Sequence, residues 1–123
     1  MSEQENKELV RRYFDERWNQ QNYDVVDELL PASEAEDHKA WMRSVLSSFR
    51  EIAFTIGDVI AEGDRVALSW RSEGVLEDSF SGHGSPGDHV SFEGLAMLRV
   101  EDGKIVEDLA YTEGFGSALL NQT

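Results

Sequence analysis

Cysteine is absent from these 123 residues, which excludes disulfides, thiolate nucleophiles and thiolate-ligated zinc together. Histidine is scarce too. His38, His83 and His89 are scattered without ligand spacing, so no metal is expected. No stretch approaches the roughly 20 apolar residues of a membrane span. Met1–Glu8 is polar and acidic, unlike the basic start and apolar run of a secretory signal; the expectation is a cytoplasmic protein. Lysine is limited to Lys7, Lys39 and Lys104, against eight arginines. With 25 acidic residues against 11 basic ones, the formal charge is −14, which argues against nucleic acid or an anionic membrane surface as partner. A carboxylate-rich, lysine-poor chain suits a cytosol of very high salt, where a short Debye length screens self-repulsion; an ordinary acidic protein kept soluble by its charge is the plainer alternative.

What is present is enough for one core. Apolar residues make up 40%, including three Trp, three Tyr and six Phe, so a folded domain is expected over 1–123. From Glu3 to Asn19, Leu9, Val10, Tyr13, Phe14 and Trp18 recur at helical spacing. Asn19–Asn22 breaks the pattern, and Val25, Val26, Leu29 and Leu30 resume it until Pro31. A third helix is expected to start near Glu34–Asp37, with Ser33 or Asp37 as cap and Trp41, Val45, Leu46 and Phe49 as its buried stripe.

After Arg50 the period becomes two. Ile52–Ala61 alternates with apolar residues on both faces, and Glu62-Gly63-Asp64 turns the chain into a strand over Arg65–Val75. There Val66, Leu68 and Trp70 share one face. Glu77–His89, rich in glycine, reads as the one substantial loop. Val90–Val100 and Lys104–Thr112 form a second hairpin around Asp102-Gly103; Ser117–Asn121 is expected to add a last helical turn. Helices followed by strands joined through tight turns define an α+β fold, in which three N-terminal helices pack on a curved antiparallel sheet of four main strands. A strongly bent sheet closed at one end leaves a hollow suited to a small molecule.

Lys7-Glu8-Leu9-Val10-Arg11-Arg12-Tyr13-Phe14 with Trp18-Asn19-Gln20 resembles the opening helix of SnoaL-like polyketide cyclases. Phe54-Thr55-Ile56 with Ile60–Ala67 resembles that family's first long hairpin, and Arg99–Glu107 its last. The resemblance implies a cone of the nuclear transport factor 2-like superfamily, whose members include cyclases, isomerases, dehydratases, epoxide hydrolases and non-catalytic binding or dimerisation modules. It also implies no metal or organic cofactor, with a carboxylate near the end of the last strand handling proton transfer in an aldol closure. In register, that carboxylate is Glu113 in place of the family's Asp. Counting by twos, Leu109, Tyr111 and Glu113 share a face, expected to be the cavity face, where burial among aromatics would raise the carboxyl's pKa.

The chain also departs from the pattern. Ala32–Asp37 occupies the place of a longer family segment that lines the cavity, Thr112 stands where a bulky aromatic often precedes the acid, and Leu109 replaces a common Trp. Trp70, Tyr111 and Leu109 are expected to line the site, with His83 reaching its mouth from the loop. Glu93 is expected to pair with Arg71 or Arg99. The Gly82–Gly87 loop lacks the helix and Lys of a phosphate cradle. Two readings stay open: a cofactor-independent cyclase, isomerase or lyase using Glu113, or a non-catalytic ligand-binding or dimerisation module. A homodimer is expected through the outer sheet face, at Ala53, Val59, Ala61 and Ala67.

Overall fold

The protein is described by a computed structural model covering residues 2–78 and 84–114, with Glu113 described by its backbone alone. Helix α1 spans Glu3–Phe14 and opens on a capping box, Ser2 Oγ accepting from Glu5 N–H while the Glu5 carboxylate accepts from Ser2 N–H. Its buried stripe is Asn6, Val10 and Tyr13, with Phe14 beside it.

The chain does not simply end there. Asp15–Asn19 continues as a π-helical turn, closed by the Gln20 N–H to Asp15 carbonyl bond at 3.1 Å. The side chains explain why the wider turn persists. Asn19 pairs with the backbone of Phe54 in both directions, Nδ2 to the carbonyl at 2.9 Å and Oδ1 from the N–H at 2.8 Å. It thus mimics a strand neighbour, occupying backbone groups of the first strand, which lies at the sheet's edge. Asp15 holds Asn19 and Gln20 through its two carboxylate oxygens, each at 2.9 Å.

Helix α2 is short, Asp24–Leu29, and α3 runs Ala32–Ser48. Helix α3 starts earlier than the expected Glu34–Asp37 and takes neither Ser33 nor Asp37 as cap. Pro31 sits just before its first turn, where no intrahelical N–H is needed, and its carbonyl accepts from Glu34 and Ala35. Met42 and Ala35 are the most buried residues of α3; Trp41, Val45 and Leu46 are only half-buried, Trp41 and Val45 because they face a hollow, while Leu46 packs at the margin of the core.

The four strands β1 (Phe49–Glu62), β2 (Arg65–Leu76), β3 (His89–Glu101) and β4 (Lys104–Gly114) form one antiparallel sheet in chain order. Two irregularities in β1, between Arg50 and Ala53 and between Ile56 and Val59, each add a residue on β1 against β2. Such bulges bend and twist a strand. The second one reverses the facing of the residues beyond it, so Phe54 and Ile56 before it and Val59 and Ala61 after it all pack on the core, whereas Ile60 is 69% exposed. Val59 and Ala61 are therefore inner residues, not the outer ones that unbroken alternation predicts. The core itself joins α1 and α2 to Val66, Leu68, Ala96, Leu98, Val100 and Ile105 on the concave face. Glu93 does pair with Arg71, at 3.4 Å, but on the solvent side with both side chains exposed, where such pairs contribute at most about 1 kcal/mol.

Candidate functional site

A hollow of about 450 Å³ lies between the end of α1, α3 and the concave face of the sheet. One wall is a stack of rings: Phe14 lies parallel to Phe54 (centroids 5.4 Å apart, 5° between planes), and Phe54 to Trp70 (5.5 Å, 17°). Trp70 fits because its cross-strand neighbour is Gly94. A Cβ on Gly94 would lie 2.7 Å from Trp70 Cζ2 and 2.0 Å from the Tyr111 carbonyl oxygen, so only glycine leaves the indole its place. Trp18, Trp41 and Phe92 complete an aromatic lining.

Polar groups gather at one end. Arg17, on the π-turn, is 4% exposed. Its Nη1 donates to the Tyr13 hydroxyl at 2.6 Å and lies 3.2 Å from His38 Nδ1; its Nη2 donates to the His38 carbonyl at 3.4 Å. The guanidinium also sits over the rings of Trp18 (4.8 Å) and Tyr13 (5.5 Å). Burial pushes the Tyr13 phenol up to about 12 despite the neighbouring cation, so Tyr13 stays a neutral acceptor for Arg17. Asp108 on β4 faces the same hollow, with Oδ1 buried and without a hydrogen-bond partner among the described residues. Burial raises its carboxyl above the usual carboxylate range, against the opposing pull of Arg17 and His38. His38 is held below the ordinary imidazole value, first by burial and then by Arg17.

The residues expected from the sequence are distributed differently. Trp70 lines the hollow. Tyr111 and Leu109 do not: they are 69% and 52% exposed, on the convex face. The cause is a bulge in β4. Val100 pairs with Ile105 but Arg99 with Glu107, leaving Val106 as an extra residue. Ile105 points inward and is 1% exposed; after the extra residue the inward positions become Asp108, Ala110 and Thr112, all of which line the hollow. Glu113 is placed only as the backbone partner of Glu93, and its side chain, like the whole of His83, lies outside the described residues. Among those described, no group of three His, Asp or Glu side chains could hold a metal ion, and no helix is long and apolar enough to cross a membrane.

Sequence reasoning missed Arg17, His38 and Asp108 as a group. A signal existed for Arg17, which follows Tyr13 by four and Val10 by seven and so falls on the apolar stripe of α1. None existed for His38 and Asp108, which are brought together by folding alone.

Helices closing one side of a curved, unclosed four-stranded sheet around a polar-ended aromatic hollow define the nuclear transport factor 2-like class of α+β protein. The family model for SnoaL-like polyketide cyclase matches residues 8–118, and the chain belongs to that family. The fold is shared with AclR of Streptomyces galilaeus, a candidate hydroxylase, at 24% identity and a TM-score of 0.81, over 91% of this chain and 77% of that one. A candidate SnoaL-like polyketide cyclase of Jannaschia sp. CCS1 is 25% identical (TM-score 0.80; 90% and 87% covered). TsrD of Streptomyces laurentii is 18% identical (TM-score 0.82; 99% and 96% covered). No curated protein matches the sequence.

Proposed function

We propose that this protein binds a small, mostly apolar and flat carbonyl compound and moves a proton on it without a cofactor, with Asp108 as the acid–base carboxylate. The supporting observation is the buried Asp108 Oδ1, unpartnered among the described residues, at the polar end of an aromatic hollow. A carboxyl group raised by burial is closer to the range in which a general base works at neutral pH. In an aldol closure Asp108 would take a proton from the carbon beside a carbonyl, and that carbon would bond to a second carbonyl carbon. The resulting alkoxide would receive the proton back, so nothing is consumed. A family whose model is named for polyketide cyclisation is consistent with that chemistry.

The test needs no knowledge of the natural substrate. Deuterium exchange into the methyl group of 2-acetylnaphthalene in heavy water, followed by proton NMR, reports the first step alone. Catalysed exchange that falls by about 10²–10⁴-fold in Asp108→Asn is expected. Saturable binding of the ketone with no exchange above buffer would make the hollow a binding site and overturn the enzymatic reading.

A second copy of the chain is the proposed partner, on the convex face. Met97 lies between Ala67 and Leu109, and Leu95 between Ser69 and Tyr111; with Ile60 they form an exposed apolar band. Charged networks of both signs flank it, Arg71 with Glu73 and Glu93 at one end, Arg65, Arg99, Glu101 and Glu107 at the other. An apolar centre with a mixed charged rim suits a self-complementary two-fold contact. Light scattering should give twice 13.9 kDa, falling to one copy in Leu95→Glu; a monomeric parent protein would refute it.

A further inference from the structure

We propose that Arg17 is a positioning residue that fixes His38 as a neutral imidazole with its proton on Nε2, so that His38 serves the hollow as a hydrogen-bond donor and not as a base. The ring's chemistry is set by its neighbour. A guanidinium has only N–H donors and does not lose its proton in proteins. The His38 nitrogen 3.2 Å from Arg17 Nη1 is Nδ1, and a donor facing it requires a lone pair there. With Nδ1 an acceptor, the ring's one proton is on Nε2. A second proton on Nδ1 would set N–H against N–H, beside a positive charge. Nε2 has no hydrogen bond to any described residue, and His38 lines the hollow; the Nε2–H is the donor that side offers to a ligand oxygen.

Arg17 holds His38 at two points, the ring through Nη1 and the backbone carbonyl through Nη2, which ties the guanidinium to α3 as well as to the imidazole. Arg17 is itself immobilised. Tyr13 accepts from Nη1 at 2.6 Å, and the faces of Tyr13 and Trp18 cover the guanidinium. The contact with Trp18 is unusual, because adjacent residues of an α-helix do not face each other. Here the two residues belong to the π-turn Asp15–Asn19, a distortion found disproportionately at functional sites. Asn19 anchors that turn to β1. The π-turn, Arg17 and His38 form a relay from the sheet edge to the ligand side of the hollow.

The charged and titratable groups around His38 are Arg17 and Tyr13 from the first helical segment, Asp108 from β4, and Glu34 and Asp37 from α3 itself. The three carboxylates favour imidazolium, whereas burial and Arg17 oppose it. Removing Arg17 therefore has a defined direction: the ring should protonate more readily and lose its tautomer preference. This inference deepens the proton-transfer reading and rests on it for the use made of the Nε2–H, but the tautomer itself does not depend on turnover.

The experiment is ¹⁵N-detected imidazole NMR on the full chain, with the His38 signals assigned by their loss in His38→Gln. In the parent protein at pH 7, His38 is expected to be neutral with the proton on Nε2, and its titration midpoint should lie below that of a free imidazole. In Arg17→Met, which keeps an unbranched chain, the midpoint should shift upward and the tautomers should mix. Deuterium exchange of 2-acetylnaphthalene should fall about tenfold or more in kcat with little change in KM. A parent His38 protonated on Nδ1, or charged at pH 7, overturns the proposal without any variant having to fold. So does an Arg17→Met protein whose tautomer and midpoint are unchanged. Absence of exchange in the parent protein alongside the expected tautomer would refute the enzymatic reading and leave the Arg17–His38 arrangement standing.

Discussion

Replacing Gly94 by alanine tests whether the aromatic wall of the hollow depends on one missing Cβ. The new methyl group would meet the Tyr111 carbonyl oxygen at 2.0 Å and the Trp70 ring at 2.7 and 2.9 Å. A flexible side-chain end could step aside; a backbone oxygen inside the β3–β4 ladder cannot, and Trp70 is held by its stack on Phe54. Overpacking costs typically about 1–3 kcal/mol, occasionally more, and with backbone as the obstacle the cost should be near 3 kcal/mol. At roughly 2.1 cal/mol/K of unfolding entropy per residue, 123 residues give about 0.26 kcal/mol/K, so Tm should fall by about 12 °C. Gly74→Ala is the matched control in the same sheet. Its Cβ meets nothing nearer than 3.4 Å, and relief of strand-glycine entropy should leave Tm unchanged or slightly raised. Circular-dichroism melts of the three proteins decide the matter, with affinity for 2-acetylnaphthalene as the functional readout, since a displaced Trp70 intrudes on the hollow. A Gly94→Ala protein melting within about 2 °C of the parent would refute the argument.

Three further outcomes are expected. Asp108→Asn should raise stability at neutral pH: burial puts the folded carboxyl above its unfolded value, so its favourable contribution is complete below the unfolded pKa and is lost as pH rises through the folded one. Melts at pH 7 and pH 4 should show the gain shrinking in acid, and equal gains at both would contradict it. Tyr13→Phe should destabilise by about 1.5–3 kcal/mol in denaturant titrations, because the 2.6 Å bond to the buried Arg17 is lost and nothing replaces it; a cost under about 0.5 kcal/mol would show that Arg17 finds another acceptor. With a formal charge of −14, Tm should climb as potassium chloride goes from about 0.1 to 1 M and the Debye length shortens from roughly 10 to 3 Å; equal Tm at both would remove the high-salt reading.

The fold was legible because each element carried its own signal: the stripe of α1, the change of period after Arg50, and the Asp102-Gly103 turn, whose two residues take φ of 50° and 74°. The site was only half legible: His38 meets Arg17 through folding alone, and the facing of the strands turns on two single residues. Alternation along a strand carries facing forward only while every residue is paired, and one unpaired residue inverts it. In β1 the irregularity before Val59 moved Val59 and Ala61 from the expected outer face to the core; in β4 the extra Val106 moved Leu109 and Tyr111 out and Asp108 in. Nothing in Lys104–Gly114 marks Val106 as unpaired, since Ile105, Val106 and Leu109 are equally plausible inward residues by type. The bulge also decides what the hollow contains. Without it, unbroken alternation from Ile105 would turn Leu109 and Tyr111 inward and Asp108 out to water, leaving a larger apolar lining and no carboxylate from that stretch of β4. With it, the inward face of β4 is Asp108, Ala110 and Thr112, two small residues that leave space and one acid that sits opposite the Arg17–His38 pair. The same irregularity that hides the acid from the sequence thus places it in the hollow.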